Sequence, residues 1–255
     1  MDWQEVSGNW VFIPQHPIGI VHFLGGAFVA TAPQVTYRLL LEGLAAKGYA
    51  IIATPFVNTF DHAAIAQSVH QSFDRTLERL HAKTIIRRRY LPIYGVGHSM
   101  GCKLHLLIGS LFPVERAGNI LISFNNFSAR DAVPFVEQFS SAFTVEFTPS
   151  PLETIALVQE RYKVRRNLIV KFTNDNLDQS LALAETLEKR FPGMIAAQTL
   201  SGSHITPLGQ DVKWQASSVY TPFDAIGQWM KQEVQRDLNQ LKREILRWLN
   251  PLSPN

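Results

Sequence analysis

Apolar, β-branched runs alternate along the chain with stretches whose apolar residues recur every three or four positions. That rhythm is the mark of strand–helix–strand units built around a parallel sheet. Residues 18–24, 49–53, 91–96, 119–124, 167–172 and 195–199 read as buried strands. Between the first two, residues 37–47 carry Leu and Ala at helical spacing and stop at Gly48. Asp61 is placed to cap a second helix that runs to about Lys83, and a third leads out of Ser99 through Leu104, His105 and Leu106. Residues 178–190 form a fourth, closed by Phe191-Pro192-Gly193.

Two segments break the rhythm. Residues 128–164 lie between the fourth and fifth of these strands and read as a lid-like insertion, with Phe135, Phe139, Phe143 and Phe147 at four-residue intervals. Residues 224–249 form a C-terminal amphipathic helix whose apolar stripe comprises Trp229, Met230, Val234, Leu238, Leu241, Ile245 and Trp248. Packing on its own domain is the simpler reading of that stripe, and a homodimer seam is the alternative. No repeat or low-complexity linker appears, so residues 1–255 are expected to form a single α/β domain, a mostly parallel central sheet with flanking helices.

The densest chemical signal is Gly97-His98-Ser99-Met100-Gly101, preceded by a buried strand and followed by a helix. In that setting a serine is held on a sharp turn at a helix N-terminus, and small flanking residues let strand and helix approach. This is the nucleophile elbow of the α/β-hydrolase fold, in which an acid and then a histidine follow the serine along the chain. Asp175 lies just past the strand 167–172, where the acid belongs, and His204, after the last strand, is the only histidine downstream of it. Asp178 is the rival acid, better read as a cap for the next helix. For the oxyanion hole, the N–H of Met100 is joined by a donor from His22-Phe23-Leu24-Gly25-Gly26-Ala27-Phe28. Either His22 or the Gly25-Gly26-Ala27 run can set the register of that loop; Gly26 and Ala27 are favoured. His98, His62 and His105 take structural readings, and no metal-ligand spacing or cofactor motif stands out, so no cofactor is expected.

These motifs are specific enough to resemble a family. The loop 22–28 with Ala32-Pro33-Gln34-Val35-Thr36-Tyr37, Ile51-Ile52-Ala53-Thr54-Pro55, Phe60-Asp61-His62, residues 97–105 and Ile122-Ser123-Phe124-Asn125-Asn126-Phe127 are similar to the domain of unknown function numbered 1350, found in cyanobacteria and plant plastids. The resemblance covers most of the first half and the second half more loosely. It implies the hydrolase fold and a photosynthetic source, and supplies no substrate.

Ligands in open parallel sheets bind beyond the carboxyl ends of the strands. Phe56, Asn125, Asn126 and Phe135 fall there and are expected to line a substrate site; the paired amides either bind a polar headgroup or tie down their own loop. The expected function is a serine hydrolase cleaving a hydrophobic, lipid-like carboxylic ester or thioester through an acyl-serine. The alternatives are an acyltransferase using the same intermediate and a non-catalytic binding or scaffold protein. The charge of +3 is too mild to point to nucleic acid. Arg87–Arg89, Arg116, Lys163, Arg165 and Arg166 precede strands and read as a solvated face, with weak membrane-surface contact as the alternative. One cysteine, no leader-like start and no apolar run of about 20 residues favour a cytoplasmic protein.

Overall fold

A computed structural model describes residues 2–27, 29–132, 146–208 and 222–250. Eight strands form one sheet: β1 (Gln4–Val6), β2 (Asn9–Phe12), β3 (Gly19–Leu24), β4 (Tyr49–Ala53), β5 (Ile93–His98), β6 (Gly118–Ile122), β7 (Asn167–Asn174) and β8 (Ile195–Ser203). Their order across the sheet is β1-β2-β4-β3-β5-β6-β7-β8, and every pair from β4 to β8 is parallel. The hairpin β1–β2 lies antiparallel on β4 and extends the edge by two strands that the hydrophobic pattern does not announce.

The helices are α1 (Pro33–Thr36), α2 (Arg38–Ala45), α3 (His62–Ala82), α4 (Met100–Leu111), α5 (Ala129–Ala132), α6 (Pro151–Arg161), α7 (Ser180–Arg190) and α8 (Pro222–Leu249). Alternate strand residues feed the two faces. Val21, Phe23, Ile51, Ile122, Val170 and Phe172 pack with Leu40, Leu41 and Leu44 of α2 and Leu238, Leu241 and Ile245 of α8. On the other face α3 covers Ile20 and Ile52, while α4, α6 and α7 enclose Leu121 and Ile169. The described half of the C-terminal stripe is therefore packed on the sheet; Trp229, Met230 and Val234 lie outside the described side chains. None of the helices among the described residues is long and apolar enough to cross a membrane.

The segment expected as a lid divides. Residues 151–161 are a crossover helix, opened by a capping box between Ser150 and Glu153 and seated on the core through Val158. Residues 133–145, with Phe135, Phe139 and Phe143, lie outside the described residues. Arg116 also departs from the expected solvated face. Its guanidinium stacks on the Phe73 ring, 4.5 Å from the centroid, and donates to His22 Nδ1 at 3.1 Å. Arg87–Arg89 are exposed.

The chain passes from β3 outward to β4 and then crosses to β5 on the other side of β3, so the switch point of the sheet lies between β3 and β5. There α4 starts against the β3 carbonyl end. A Cβ on Gly101 would overlap the Leu24 carbonyl oxygen and lie 2.8 Å from that of Gly25; one on Gly97 would meet Cys102 N at 2.6 Å. Gly101→Ala should push α4 off β3. A loss of more than about 3 kcal/mol in denaturant unfolding, or failure to fold, is the expected outcome, because backbone on both sides prevents relaxation.

Candidate active site

The carboxyl edge of the sheet gathers one chemical group from almost every strand. Ser99 follows β5, Asn125 follows β6, Asp175 follows β7, His204 follows β8, and the Gly25-Gly26-Ala27 loop follows β3. Ser99 has φ 56° and ψ −119°, a strained left-handed backbone held by its N–H bond to the Ile122 carbonyl at 2.9 Å. The strain lifts Oγ to the edge of a cavity instead of folding it onto the helix.

The Ser99 hydroxyl donates to His204 Nε2 at 3.1 Å, and His204 Nδ1–H donates to Asp175 Oδ2 at 2.8 Å. The Asp175 carboxylate is fully buried, and its other oxygen accepts the Leu177 N–H at 3.0 Å. Asp178 takes a different part: it accepts both the N–H and the hydroxyl of Ser180 at the start of α7, and burial raises its pKa. Thr206 secures the loop carrying His204, its Oγ1 accepting the Ser203 N–H at 2.8 Å.

Asn125 Nδ2 donates to Ser99 Oγ at 3.0 Å. Its loop is fixed by the start of α7, since Gln179 N–H donates to the Phe124 carbonyl and Gln179 Oε1 accepts the Asn126 N–H. Asn126 Nδ2 in turn donates to the Pro151 carbonyl at 2.9 Å. Asn125 thus touches Ser99 Oγ, whereas the Nδ2 end of Asn126 ties backbone down.

His98, the variable residue of the turn, is wholly buried. Tyr37 O–H donates to His98 Nδ1 at 2.8 Å, and His98 Nε2–H donates to the His204 carbonyl at 2.9 Å. Burial, then the neighbouring His204, pushes the His98 pKa down to about 3, so the ring is neutral and this pattern of one acceptor and one donor is stable. The Tyr37 oxygen also accepts the Gly26 N–H at 2.8 Å. The amide of Gly26, expected in the oxyanion hole, is thereby committed to Tyr37. Met100 N–H, first in α4 and without a partner in its own helix, and Ala27 remain beside Ser99.

A cavity of about 400 Å³ opens at Ser99. Val29, Phe127, Phe147, Leu177, Ile205 and Leu208 form most of its apolar wall. Phe56, expected there, points inward and packs with Leu24, Ala30 and Ile65, because α3 and α4 close over it. The polar lining includes Asn58, His62 and Lys103. The strand-like segment around Thr148 bridges to Asp61 and brings Phe147 onto His62, ring centroids 4.2 Å apart. Lys103 Nζ donates to the Pro149 carbonyl at 3.2 Å and sits 5.6 Å from the centre of the Phe147 ring. Burial lowers its pKa to about 8 while Glu146 opposes the shift, which leaves it charged at neutral pH.

Lys103, Asn58 and Tyr37 were given no site role from sequence, and His62 took a structural reading. A lysine in the largely apolar run 102–108, which it shares with His105, one turn beyond Ser99, was the available signal for the first.

Two outcomes follow. Tyr37→Phe keeps the ring contact with Phe23 but strands the Gly26 N–H and His98 Nδ1; it should cost about 1–3 kcal/mol in urea unfolding. Lys103→Met removes an ammonium that is expensive to bury and should raise stability at pH 7 by about 1–3 kcal/mol. Lys103 titrates near 8 when folded and near 10.5 when unfolded. The folded charge therefore costs stability below pH 8, and that cost fades as the pH climbs to 10.5. Denaturation of both proteins across this window should show their curves converging.

Among solved structures the chain is similar to esterase 2 of Thermogutta terrifontis, with a propionate-bound form, at 17% identity and TM-score 0.59, covering 97% of this chain and 91% of that one. It is similar to carboxyl esterase 2 of the fungus Tuber melanosporum at 17% identity and TM-score 0.56, covering 89% and 82%. It is also similar to a lidless α/β serine hydrolase of Xanthomonas campestris at 11% identity and TM-score 0.54, covering 97% and 89%. At such identities the likeness establishes the α/β-hydrolase fold and leaves the reaction open. No curated protein matches the sequence. The model of the family described as "Protein of unknown function (DUF1350)" matches residues 2–251, nearly the whole chain, and the protein belongs to that family.

Proposed function

We propose that this protein is a serine hydrolase of carboxylic esters or thioesters whose body is largely apolar. The observation that carries the reading is the unbroken line from Ser99 through His204 to the buried Asp175, opening onto an apolar cavity. A serine needs a base within hydrogen-bond reach, and the base needs a partner that fixes its tautomer. Nδ1–H on Asp175 leaves the Nε2 lone pair facing the Ser99 hydroxyl.

In the first half-reaction Nε2 takes the hydroxyl proton as Oγ bonds to the substrate carbonyl carbon. The oxyanion then lies toward Met100 N–H and Ala27 N–H, at the positive end of α4. His204 returns the proton to the departing oxygen or sulfur, and Ser99 is left as its acyl ester. Water repeats the sequence in the second half, and a carboxylic acid leaves. Asn125 holds Oγ in line through its amide and gives way as the tetrahedral carbon forms.

A fluorophosphonate probe should label the wild-type protein and leave Ser99→Ala unlabelled. Asp175→Asn should keep the fold while lowering kcat on a 4-nitrophenyl ester by roughly four orders of magnitude, because His204 would present its N–H to the serine. A folded wild-type protein that resists the probe would argue for the binding or scaffold alternative.

A further inference from the structure

Three side chains on one wall of the cavity carry polar atoms without partners among the described residues, and a fourth, Lys103, has donors to spare. Both ring nitrogens of His62 are unmatched, although the residue is only 4% exposed. Asn58 Oδ1 and Asn126 Oδ1 are buried and unmatched as well. Lys103 is 2% exposed, and among the described residues its three N–H donors have one acceptor, the Pro149 carbonyl. Among the described residues no carboxylate lies within ion-pair distance of it. Glu146, the acid that acts on it from afar, spends Oε1 on the N–H groups of Ala129 and Phe147.

Folded proteins pair nearly all of their buried polar atoms. Of the nine buried side-chain atoms left unmatched among the described residues, four, on His62, Asn58 and Asn126, line the cavity that contains Ser99, while the other five are scattered singly over Gln34, His70, Arg116, Asn119 and Ser123. All four side chains line the same space as Ser99, and Lys103 stands four residues further along α4, about 6 Å along its axis. Among the described residues the sole formal charge on this wall is positive.

We infer that the substrate carries an acidic group, a carboxylate or a sulfonate- or phosphate-like anion, held by Lys103 and His62 at the α3 side of the cavity. This rests on the hydrolase reading and narrows it. Lys103 supplies two N–H donors and the charge, and His62 supplies one further N–H. The carbonyl oxygens of Asn58 and Asn126 accept from hydroxyl or amide N–H groups elsewhere on the same molecule. The remaining wall is apolar, and a volume near 400 Å³ is at the small end for ligand sites. The fit is a compact ester or thioester with an apolar body and one acidic end, smaller than the lipid-like ester expected from sequence.

A mere tether to the Pro149 carbonyl needs a donor and no charge, so Lys103→Gln separates the two roles. The readout is kcat/KM on two matched pairs: 4-butyryloxybenzenesulfonate against phenyl butyrate, with charge on the leaving group, and mono-4-nitrophenyl adipate against 4-nitrophenyl hexanoate, with charge on the acyl group. The wild type should favour the anionic member of at least one pair by about tenfold or more, and Lys103→Gln should bring that ratio near one. Lys103→Arg, which keeps the charge, should retain part of the preference. Preference for the neutral member in both pairs, or a ratio unmoved by Lys103→Gln, overturns the inference while leaving fluorophosphonate labelling intact. If the protein neither labels nor turns over any ester, the hydrolase reading fails by itself. Calorimetric titration with adipate and with benzenesulfonate then decides the site: saturable binding lost in Lys103→Gln upholds it, and no binding of either anion ends it.

Discussion

The site depends on how closely the start of α4 approaches the carboxyl end of β3. Gly101 leaves no room for a methyl group between the helix and the Leu24 carbonyl, and Gly97 leaves none behind the turn. With the helix pressed there, Ser99 is forced into a left-handed backbone, and packing must sustain a strain of order 1–3 kcal/mol. The same approach sets Met100 N–H beside the β3 loop. The pose of the candidate nucleophile Ser99 and the candidate anion site beside it are two results of one contact.

Around that contact the polar groups divide by whether they are paired. The run from Gly26 N–H to Tyr37, His98 and the His204 carbonyl is continuous, and every ring atom in it has a use. It joins the β3 loop to the histidine backbone with no net charge, which suits a place where neither a proton nor water should intrude. A second network across the sheet is paired through its histidine: His22 Nε2–H donates to Thr54, Thr54 donates to Asn9, and Asn9 donates to Thr76. Burial keeps His22 neutral, and Arg116 satisfies its other nitrogen. Elsewhere among the described residues the unmatched atoms occur singly, Arg116 Nε and Ser123 Oγ among them, whereas the cavity wall groups four of them beside a lysine, and that grouping makes them informative.

Periodicity exposed the strands that run through the core, because β3 to β7 are apolar on both faces. It did not expose β1 and β2, which are short and lie at an edge; the cue was the Ser7-Gly8 turn, whose residues have φ 52° and 82°. The helix at 151–161 was hidden inside a segment read as a lid, although Ser150 and Glu153 spell a capping box. The serine, acid and histidine were legible since chain order alone places each after its own strand. Phe56, Arg116 and Lys103 were not. Whether a side chain after a strand points into a cavity or into the core is decided by which helix covers it, and neither spacing nor residue type carries that information.

Lys103 shows what that information is worth. An ammonium buried beside Phe147, with one carbonyl to hold it, is costly at neutral pH, and methionine would fill the same space without that cost. A side chain that lowers stability while lining a reactive cavity fits a familiar trade, in which a site is kept short of its best packing so that a ligand can complete it. The position on α4 reinforces this. The candidate nucleophile Ser99 and the Lys103 cation are one helical turn apart on a rigid element, so an acid bound at one end would bring its ester carbonyl to the other at a fixed separation. A flexible surface lysine could attract such a substrate and could not measure its length. A buried one could do both, and the desolvation that makes it costly would also strengthen its hold on an anion.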